Sequence, residues 1–319
     1  MWGSRGIDTS KDGLLTYIEG KQMSQLLWFD RDGKQQPSAN SPDQYVMVPF
    51  FSPDGTKFVI RIVDGGFSHL WLYNSSGGER SKLTFTPSND SNPRWSPDGT
   101  RILFTSDRSG GYKLYVKNAS GAGADELLYG AQNWCIAEDW SPDGKYILFS
   151  EVDPKTKYDL WLLQLGEHKK AFPFLISGAN ESNARFSPDG RWIAYSSDES
   201  GRAEVYVQSF LSEKPGKWQV STNGGFTPKW SRDGKELFYQ SPDNQIMCSE
   251  VKIGSTFEAA TPTPLFTIHP YSIPRIGLGN GSDAFEPTID GKFVVHAAPS
   301  TSRNITVILN WLLLLNPAK

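Results

Sequence analysis

Few residues in this chain have the types and spacing that catalysis or metal binding requires. No His-x-x-His or His-Glu-x-x-His motif occurs, and the four histidines are scattered: His69, His168, His269 and His296. Cys135 and Cys248 are too few for a disulfide scaffold or a cysteine-based zinc cluster. We therefore expect no metal site and no cofactor.

Covalent catalysis and phosphate binding also lack their usual motifs. There is no Gly-x-Ser-x-Gly, the turn that carries the nucleophile of α/β-hydrolases. Gly277, Gly279 and Gly281 form a glycine cluster, but the sequence that follows does not predict a helix to hold a phosphate. The sequence thus predicts no catalytic residue.

The remaining candidates are aromatic, amide and charged side chains in loop-like segments. An aromatic side chain beside clustered amides and carboxylates suits a peptide, a sugar, a protein tail or another small ligand. The candidates are Tyr45, Asn89, Asp90, Trp134, Glu138, Glu181, Asn183, Tyr271 and Arg275. The alternative is that the amides and carboxylates only form turns and that Trp134 covers the core. These residues are far apart in sequence, so they form one site only if the fold gathers their loops.

A repeated four-residue turn motif indicates which fold that is. The motif is Ser-Pro-Asp-Gly or a close variant, and its aspartates are Asp12, Asp54, Asp98, Asp143, Asp189, Asp233 and Asp290. The intervals between them are 42, 44, 45, 46, 44 and 57 residues. Proline presets φ, aspartate bonds to its own backbone, and glycine accepts the positive φ that closes the turn. Repeats of about 40–45 residues are typical of four-stranded propeller blades.

The segments around each turn motif predict short strands. In the third repeat, residues 101–106, 112–116 and 126–129 are short runs of β-branched, aromatic and aliphatic residues separated by turn signals. No segment keeps an apolar period of 3.6 residues long enough to predict a helix. We therefore predict an all-β fold, a β-propeller of seven four-stranded blades forming one domain over residues 1–319. Six or eight blades are the alternatives.

The predicted propeller would bring the candidate residues together. Loops that join one blade to the next converge at one mouth of the central channel, and loops on a rigid scaffold often carry function. The longest interval places extra chain at residues 268–280, which we expect beside the channel with Tyr271 and Arg275. The last repeat has strands near residues 284–288, 292–297 and 304–311. Its blade should therefore borrow an N-terminal strand or keep three strands.

Composition and charge exclude several classes of protein. The formal net charge is −3, with 32 basic and 35 acidic residues, so no nucleic-acid partner is expected. Residues 307–315 form the most apolar stretch, far shorter than the ~20 residues that span a bilayer. Residues 1–6 contain no apolar run, so we expect no signal peptide here.

The repeat resembles a known bacterial family. Trp-Ser-Pro-Asp-Gly-x-x-Ile-x-Phe-x-Ser-Asp, followed by a Leu-Tyr-Val strand, is similar to the TolB-like, WD-type β-propeller repeat. Several stretches also resemble the C-terminal propeller region of acidobacterial-type membrane serine/threonine kinases: residues 139–144, 151–157, 186–195, 217–221, 235–239 and 305–311. This resemblance implies a sensor or interaction region outside the cytoplasm. The chain departs from it at Leu312–Leu315, and it carries no kinase motif.

We expect a non-catalytic binding or scaffold propeller of a bacterial envelope or signalling protein. Its partner would be a protein or peptide, or a small ligand, at the channel mouth. Two alternatives are a metal-assisted propeller hydrolase or lactonase, and a propeller that gates a serine peptidase. The first needs several carboxylates or histidines at one end of the channel, where Asp90, Glu138 and Glu181 are the candidates. Fold alone does not choose between these functions.

Overall fold

The computed structural model describes residues 7–9, 14–18, 24–37, 47–213, 215–254, 256–270, 283–297 and 305–309. Within these ranges the regular structure is β-strand, without an α-helix, as predicted. No helix long and apolar enough to cross a membrane occurs in the same ranges.

The chain forms 28 strands in the described ranges. It begins with β1 (Ile7–Thr9), β2 (Leu14–Ile18), β3 (Gln25–Phe29) and β4 (Gln35–Gln36). Blade 1 contains β5 (Phe50–Phe51), β6 (Lys57–Asp64), β7 (Phe67–Asn74) and β8 (Arg80–Lys82). Blade 2 contains β9 (Asp90–Trp95), β10 (Arg101–Ser106), β11 (Lys113–Asn118) and β12 (Glu126–Tyr129).

Blades 3 to 5 follow in the same order. Blade 3 contains β13 (Trp134–Trp140), β14 (Tyr146–Asp153), β15 (Lys157–Gln164) and β16 (Lys170–Leu175). Blade 4 contains β17 (Glu181–Phe186), β18 (Trp192–Ser197), β19 (Glu204–Ser209) and β20 (Lys217–Gln219). Blade 5 contains β21 (Phe226–Trp230), β22 (Glu236–Gln240), β23 (Gln245–Ile253), β24 (Phe257–Ala259) and β25 (Thr263–Thr267), the last two both paired with β23.

The sixth blade joins the two ends of the described chain. It contains β26 (Phe285–Pro287) and β27 (Phe293–Ala297), and β27 pairs in antiparallel register with β3, which pairs with β4. The last repeat thus borrows N-terminal strands, one of the two closures that the sequence suggested. The final strand, β28 (Ile305–Leu309), pairs with β2 instead, in a three-stranded sheet ordered β1-β2-β28.

The prediction of seven blades is wrong, because the structure has six. The six turn motifs from Asp54 to Asp290 each lie in one blade, but the strands flanking Asp12 do not build a seventh. The first repeat is divided. Its strands β3 and β4 complete the blade of the last repeat, while β1 and β2 pair with β28. Counting turns therefore overestimated the blades by one.

The repeated turn forms by the mechanism that its residues predict. In blade 3, Ser141 Oγ donates to Asp143 Oδ1 at 2.7 Å, and the Lys145 N–H donates to the same oxygen at 3.0 Å. Gly144 has φ of 74°, a left-handed conformation that side chains other than glycine rarely adopt. The Tyr146 N–H donates to Ser141 Oγ at 2.8 Å, which fixes the start of the next strand.

The blades pack through apolar side chains on both faces of their second strands. Every residue of β18 is buried, and Ile147, Leu148 and Phe149 of β14 are completely buried. Leu103 of blade 2 belongs to the same apolar cluster as Ile147 and Phe149 of blade 3. Blade-on-blade packing therefore supplies the core and holds the innermost strands in place.

Two edges of the ring carry different loops. The turn motifs join first to second strands at one edge, which we call the turn face. Because neighbouring strands are antiparallel, the blade-to-blade loops and the hairpins between second and third strands lie at the opposite edge. We call this edge the loop face.

Candidate functional site

The predicted mouth residues that the structure describes lie in several separate places. Tyr45, Tyr271 and Arg275 lie outside the described residues. The other six lie on the loop face or the innermost strands, where the structure divides them among four places. Two brace a hairpin of blade 2, one is an exposed tryptophan, two belong to a charged cluster in the channel, and one adjoins a pocket between blades 3 and 4.

Asn89 and Asp90 are engaged within blade 2. The Asn89 backbone N–H and its side-chain amide both donate to the Asp107 carboxylate, at 2.7 and 2.9 Å. Asp90 is buried and pairs with Arg108 at 2.9 Å. Arg108 also pairs with Asp125, and its guanidinium lies over the Tyr115 ring. These two residues thus support the loop face as structural contacts.

Trp134 offers an exposed aromatic surface on the loop face. The residue is 45% exposed, so nearly half of its surface is open on the loop face. The Tyr112 ring packs edge-on against it, with centroids 5.2 Å apart and an interplanar angle of 87°. Such a half-exposed aromatic pair suits contact with an apolar or planar group of a partner.

Charged side chains from the innermost strands fill the channel. The cations are Arg94 of β9, Arg185 of β17 and Lys229 of β21, and all three are buried. Asp283 lies between them, with its carboxylate oxygens 3.7 Å from Arg94, 3.0 Å from Arg185 and 2.9 Å from Lys229. Because these cations come from three blades, their convergence places the cluster at the centre of the ring.

Further acidic and aromatic groups complete this channel cluster. Glu138 pairs with Arg185 at 3.4 Å and accepts a hydrogen bond from Ser150 at 2.6 Å. Glu286 lies 2.8 Å from Lys229. The Phe50 ring of blade 1 lies beneath the Arg94 guanidinium, 3.9 Å from its centroid. These mutual contacts fill the centre of the ring.

The charge balance of the cluster shifts its pKa values in different directions. Burial would raise the pKa of Asp283, but the three neighbouring cations hold it well below its ordinary value. Burial raises the pKa of Glu138 although Arg185 opposes the shift. Burial and the nearby Arg185 lower the pKa of Arg94 to about 10. Asp283 therefore stays ionised and supplies negative charge to all three buried cations.

A local backbone distortion precedes each channel cation. Asn92, Asn183 and Thr227 have φ of 50°, 57° and 55°, and each lies two residues before Arg94, Arg185 or Lys229. The strand register shifts at all three points, as expected of bulges, which redirect the side chains that follow. The Asn183 N–H also donates to Glu138 at 3.3 Å. Asn183 therefore contributes through its backbone, which forms the bulge before Arg185 and donates to Glu138.

Sequence reasoning missed the channel cations, although the repeats contain a signal for them. The residue two positions before the first residue of each turn motif is charged in five of the six blades. In blade order these residues are Phe50, Arg94, Asp139, Arg185, Lys229 and Glu286. Charge at a fixed position of a buried strand indicates a common environment. Aligning the repeats would have placed these residues around the channel.

Glu181 adjoins an open pocket of about 570 Å³ between blades 3 and 4. The pocket is lined by Lys157, Ser177, Gly178, Ala179, Asp198, Glu199 and Gly201. Ser177 donates its hydroxyl to Glu181 Oε1 at 2.5 Å. Burial raises the pKa of Glu181 to about 7, and the nearby Asp159 and Glu199 add to the shift. The pocket thus has a buried carboxyl directly behind its wall.

The arrangement is suited to recognition. Among the described residues, no three His, Cys, Asp or Glu side chains are grouped so that they could hold a metal ion. Glu138, one of the channel carboxylates, is paired with Arg185 and accepts a hydrogen bond from Ser150. On the loop face, Trp134 presents an exposed aromatic ring, and the pocket between blades 3 and 4 presents the carboxylates of Asp198 and Glu199.

Comparison with known proteins gives one family and several structures of the same fold. The family described as TolB beta propeller domain matches residues 9–171 and 132–262. A protein assigned as TolB from Agrobacterium tumefaciens is 18% identical, with a TM-score of 0.64 over 88% of this chain and 100% of that one.

Two enzyme structures are also similar. A protein assigned as a 6-phosphogluconolactonase from Bacteroides uniformis is 16% identical, with a TM-score of 0.55 over 89% of this chain and 92% of its own. A gluconolactonase from Xanthomonas campestris is 13% identical, with a TM-score of 0.54 over 90% and 89%. At these identities the structural likeness shows the fold alone, which binding proteins and enzymes share.

Proposed function

The chain belongs to the TolB β-propeller domain family, and from this premise we propose that it is a non-catalytic binding module that docks a protein or peptide on its loop face. One observation carries the proposal. Ion pairs tie Arg94, Arg185 and Lys229 to Asp283 in the channel, whereas the loop face keeps the exposed Trp134 ring and an open pocket lined by Asp198 and Glu199. Interfaces are enriched in aromatic residues of this kind.

We further propose that the module is the sensor or interaction part of a larger signalling system. The resemblance of its repeats to the propeller region of bacterial membrane serine/threonine kinases supports this role. A rigid ring with variable loops at one edge suits it, because the scaffold holds loop side chains in fixed positions.

Site-specific photo-crosslinking in the producing cells tests which face binds. Trp134 on the loop face and Ile289 on the turn face are each replaced by p-benzoylphenylalanine. These two positions are matched, because the residues are 45% and 50% exposed. We expect one discrete covalent adduct with a single polypeptide from position 134 and none from position 289.

Two results would contradict the proposal. Adducts of the same polypeptide from both positions, or from position 289 alone, would place binding elsewhere. Turnover of gluconolactone by the purified chain that disappears in Glu138→Gln would make the propeller an enzyme. A matched assay of Asp64→Asn, an exposed carboxylate that pairs with Lys82 and not with the channel cations, controls for the loss of one charge.

A further inference from the structure

Three carboxyl groups lie on the loop face where blades 3 and 4 meet, and the equivalent repeat positions can be compared at the other junctions between blades. Asp159 faces Glu151 across strands β15 and β14, Glu181 begins β17, and Glu199 lies in the hairpin after β18. The same three repeat positions between blades 1 and 2 hold His69, Asp90 and Arg108. There Arg108 neutralises the buried Asp90 at 2.9 Å. In blade 4 the residue in the position of Arg108 is an acid.

The other junctions confirm that this set of residues is unusual. Between blades 2 and 3 the three positions hold Lys113, Cys135 and Asp153, and between blades 4 and 5 they hold Glu204, Gly225 and Asp243. Among the four junctions that the structure describes in full, only the one between blades 3 and 4 has three carboxyls. This junction therefore lacks the cation that its repeat position supplies in blade 2.

The two inner carboxyls each keep an oxygen without a partner. Glu181 is 0% exposed and its Oε2 accepts no hydrogen bond, while Asp159 is 2% exposed and its Oδ1 accepts none. No ion pair reaches either side chain from the described residues. A buried ionised carboxylate in this state is costly unless a cation or donor joins it.

The wall of the pocket contacts both carboxyls. The Ser177 hydroxyl donates to Glu181. Burial raises the pKa of Asp159, and hydrogen bonds from the Thr156 hydroxyl and from the Ser177 backbone N–H oppose that shift. Two lysines lie nearby. Lys217 pairs with Glu199, and Lys157, which lines the pocket, adds to the lowering of the Asp198 pKa that the two hydrogen bonds from Asn180 cause against burial. Ile176, 47% exposed, precedes Ser177 in the chain and is an apolar side chain on the same loop.

We propose that this pocket receives the guanidinium or ammonium group of an arginine or lysine side chain of the partner. The positive charge would lie against the Ser177 wall and beside Glu199, with the buried carboxyls of Glu181 and Asp159 behind that wall. The cation would take the place that Arg108 has in blade 2, and its aliphatic stem would pass Ile176. An organic cation fits better than a metal ion, since the described carboxyls form no group of three arranged for metal ligation. This inference rests on the proposed partner-binding function and names the chemistry that the loop face recognises.

The test is an NMR titration of the full chain that follows the backbone amides of Gly178 and Gly201. The probe is Nα-acetyl-arginine amide, and its matched control is Nα-acetyl-citrulline amide, which has the same shape without the charge. We expect saturable shifts at both glycines with arginine and none with citrulline. In the double variant Glu181→Gln, Asp159→Asn the arginine affinity should fall at least about tenfold, because the buried charges that hold the cation are gone.

The comparison of arginine with citrulline on the unaltered chain keeps the test decisive even if the double variant folds poorly. Asp64→Asn, which removes one loop-face charge outside the pocket, should leave the affinity unchanged. Equal shifts with citrulline, no shifts with arginine, or larger shifts with calcium chloride would overturn the inference. Because the probe is a small molecule, failure here is distinguishable from failure of the crosslinking experiment, which reports on any partner.

Discussion

At the scale of single residues, two buried carboxyls have opposite surroundings. Asp283 has three cations within 4 Å, whereas Glu181 has hydroxyl donors only. The first carboxyl stabilises the fold as an anion. The second is more stable with its proton, unless a partner brings a positive charge to it.

The pH dependence of stability should reveal the state of Glu181. Its pKa is about 7 in the folded chain against an ordinary 4.5, so the folded state binds more protons between these values. Its contribution to the free energy of unfolding is therefore fully present below pH 4.5 and is lost as pH rises towards 7. The free energy of unfolding of Glu181→Gln should therefore fall by about 1–3 kcal/mol less than that of the unaltered chain as pH rises from 4.5 to 7. Urea unfolding at several pH values measures this difference.

Burial also raises the pKa values of Asp159, Glu138 and Asp139. These groups are present in both the unaltered chain and Glu181→Gln, so the difference between the two free energies of unfolding reports on Glu181. Parallel pH profiles for the variant and the unaltered chain would show that Glu181 is ionised and satisfied in the folded state.

Replacing Asp283 should destabilise the channel strongly. Asp283→Asn keeps the size of the side chain but leaves Arg94, Arg185 and Lys229 with less negative charge in a buried place. Breaking a buried ion pair from one side typically costs about 3–5 kcal/mol. Guanidinium chloride would screen these pairs, so urea unfolding is the measurement.

Asp64→Asn is the matched control for Asp283→Asn. Asp64 pairs with Lys82 at 2.8 Å, but its side chain is half exposed, so its loss should cost about 0–1 kcal/mol. An Asp283 variant as stable as this control would mean that the channel cluster contributes little to the fold.

The sequence predicted acidic groups at the mouth but not their partners. Arg185 and Asp283 are 98 positions apart, and the cations of the channel come from separate repeats. Ion pairs of this kind depend on the radius of the ring and on the bulges at Asn92, Asn183 and Thr227. Neither the radius of the ring nor the bulges can be read from a short stretch of sequence. The loops near the channel could therefore be predicted, but the ion pairs between residues of different repeats could not.

At the scale of elements, the turn motif and the strands around it were predictable because their interactions are local. Ser141 and Asp143, two residues apart, fix the turn of blade 3 by themselves. The number of blades could not be predicted in this way, because it depends on which distant strand pairs with the strands of the first repeat. Strand β3 could have stayed with β2 but pairs with β27, some 270 residues away. No local pattern encodes that choice.

A disulfide across this pairing tests the closure of the ring. Gln25 and Ala297 are direct partners in the β3–β27 register, so Gln25→Cys, Ala297→Cys should form an intramolecular disulfide on mild oxidation. Non-reducing electrophoresis reports it as a large mobility shift. The native Cys135 and Cys248 are buried and should not compete.

Each single-cysteine variant is the control for this pair. Dimers, or no crosslink while the pair variant keeps its thermal unfolding transition, would indicate that the first repeat forms its own blade. That outcome would restore a seventh blade.

At the scale of the whole molecule, the two edges of the ring have different surfaces. The turn face holds the repeated motif, whose side chains bond mainly within each turn. The loop face holds Trp134 and the pocket beside Glu181. We therefore propose that the partner binds on the loop face.

Hydrogen–deuterium exchange of the full chain, alone and saturated with the polypeptide recovered by crosslinking, shows which face the partner covers. Partner binding on the loop face predicts slower exchange at the loop-face segments 107–112, 130–134, 176–180 and 198–203. It predicts no change at the turn-face segments 96–99, 141–144 and 187–190. Protection of the turn-face segments, with the loop-face segments unchanged, would contradict it.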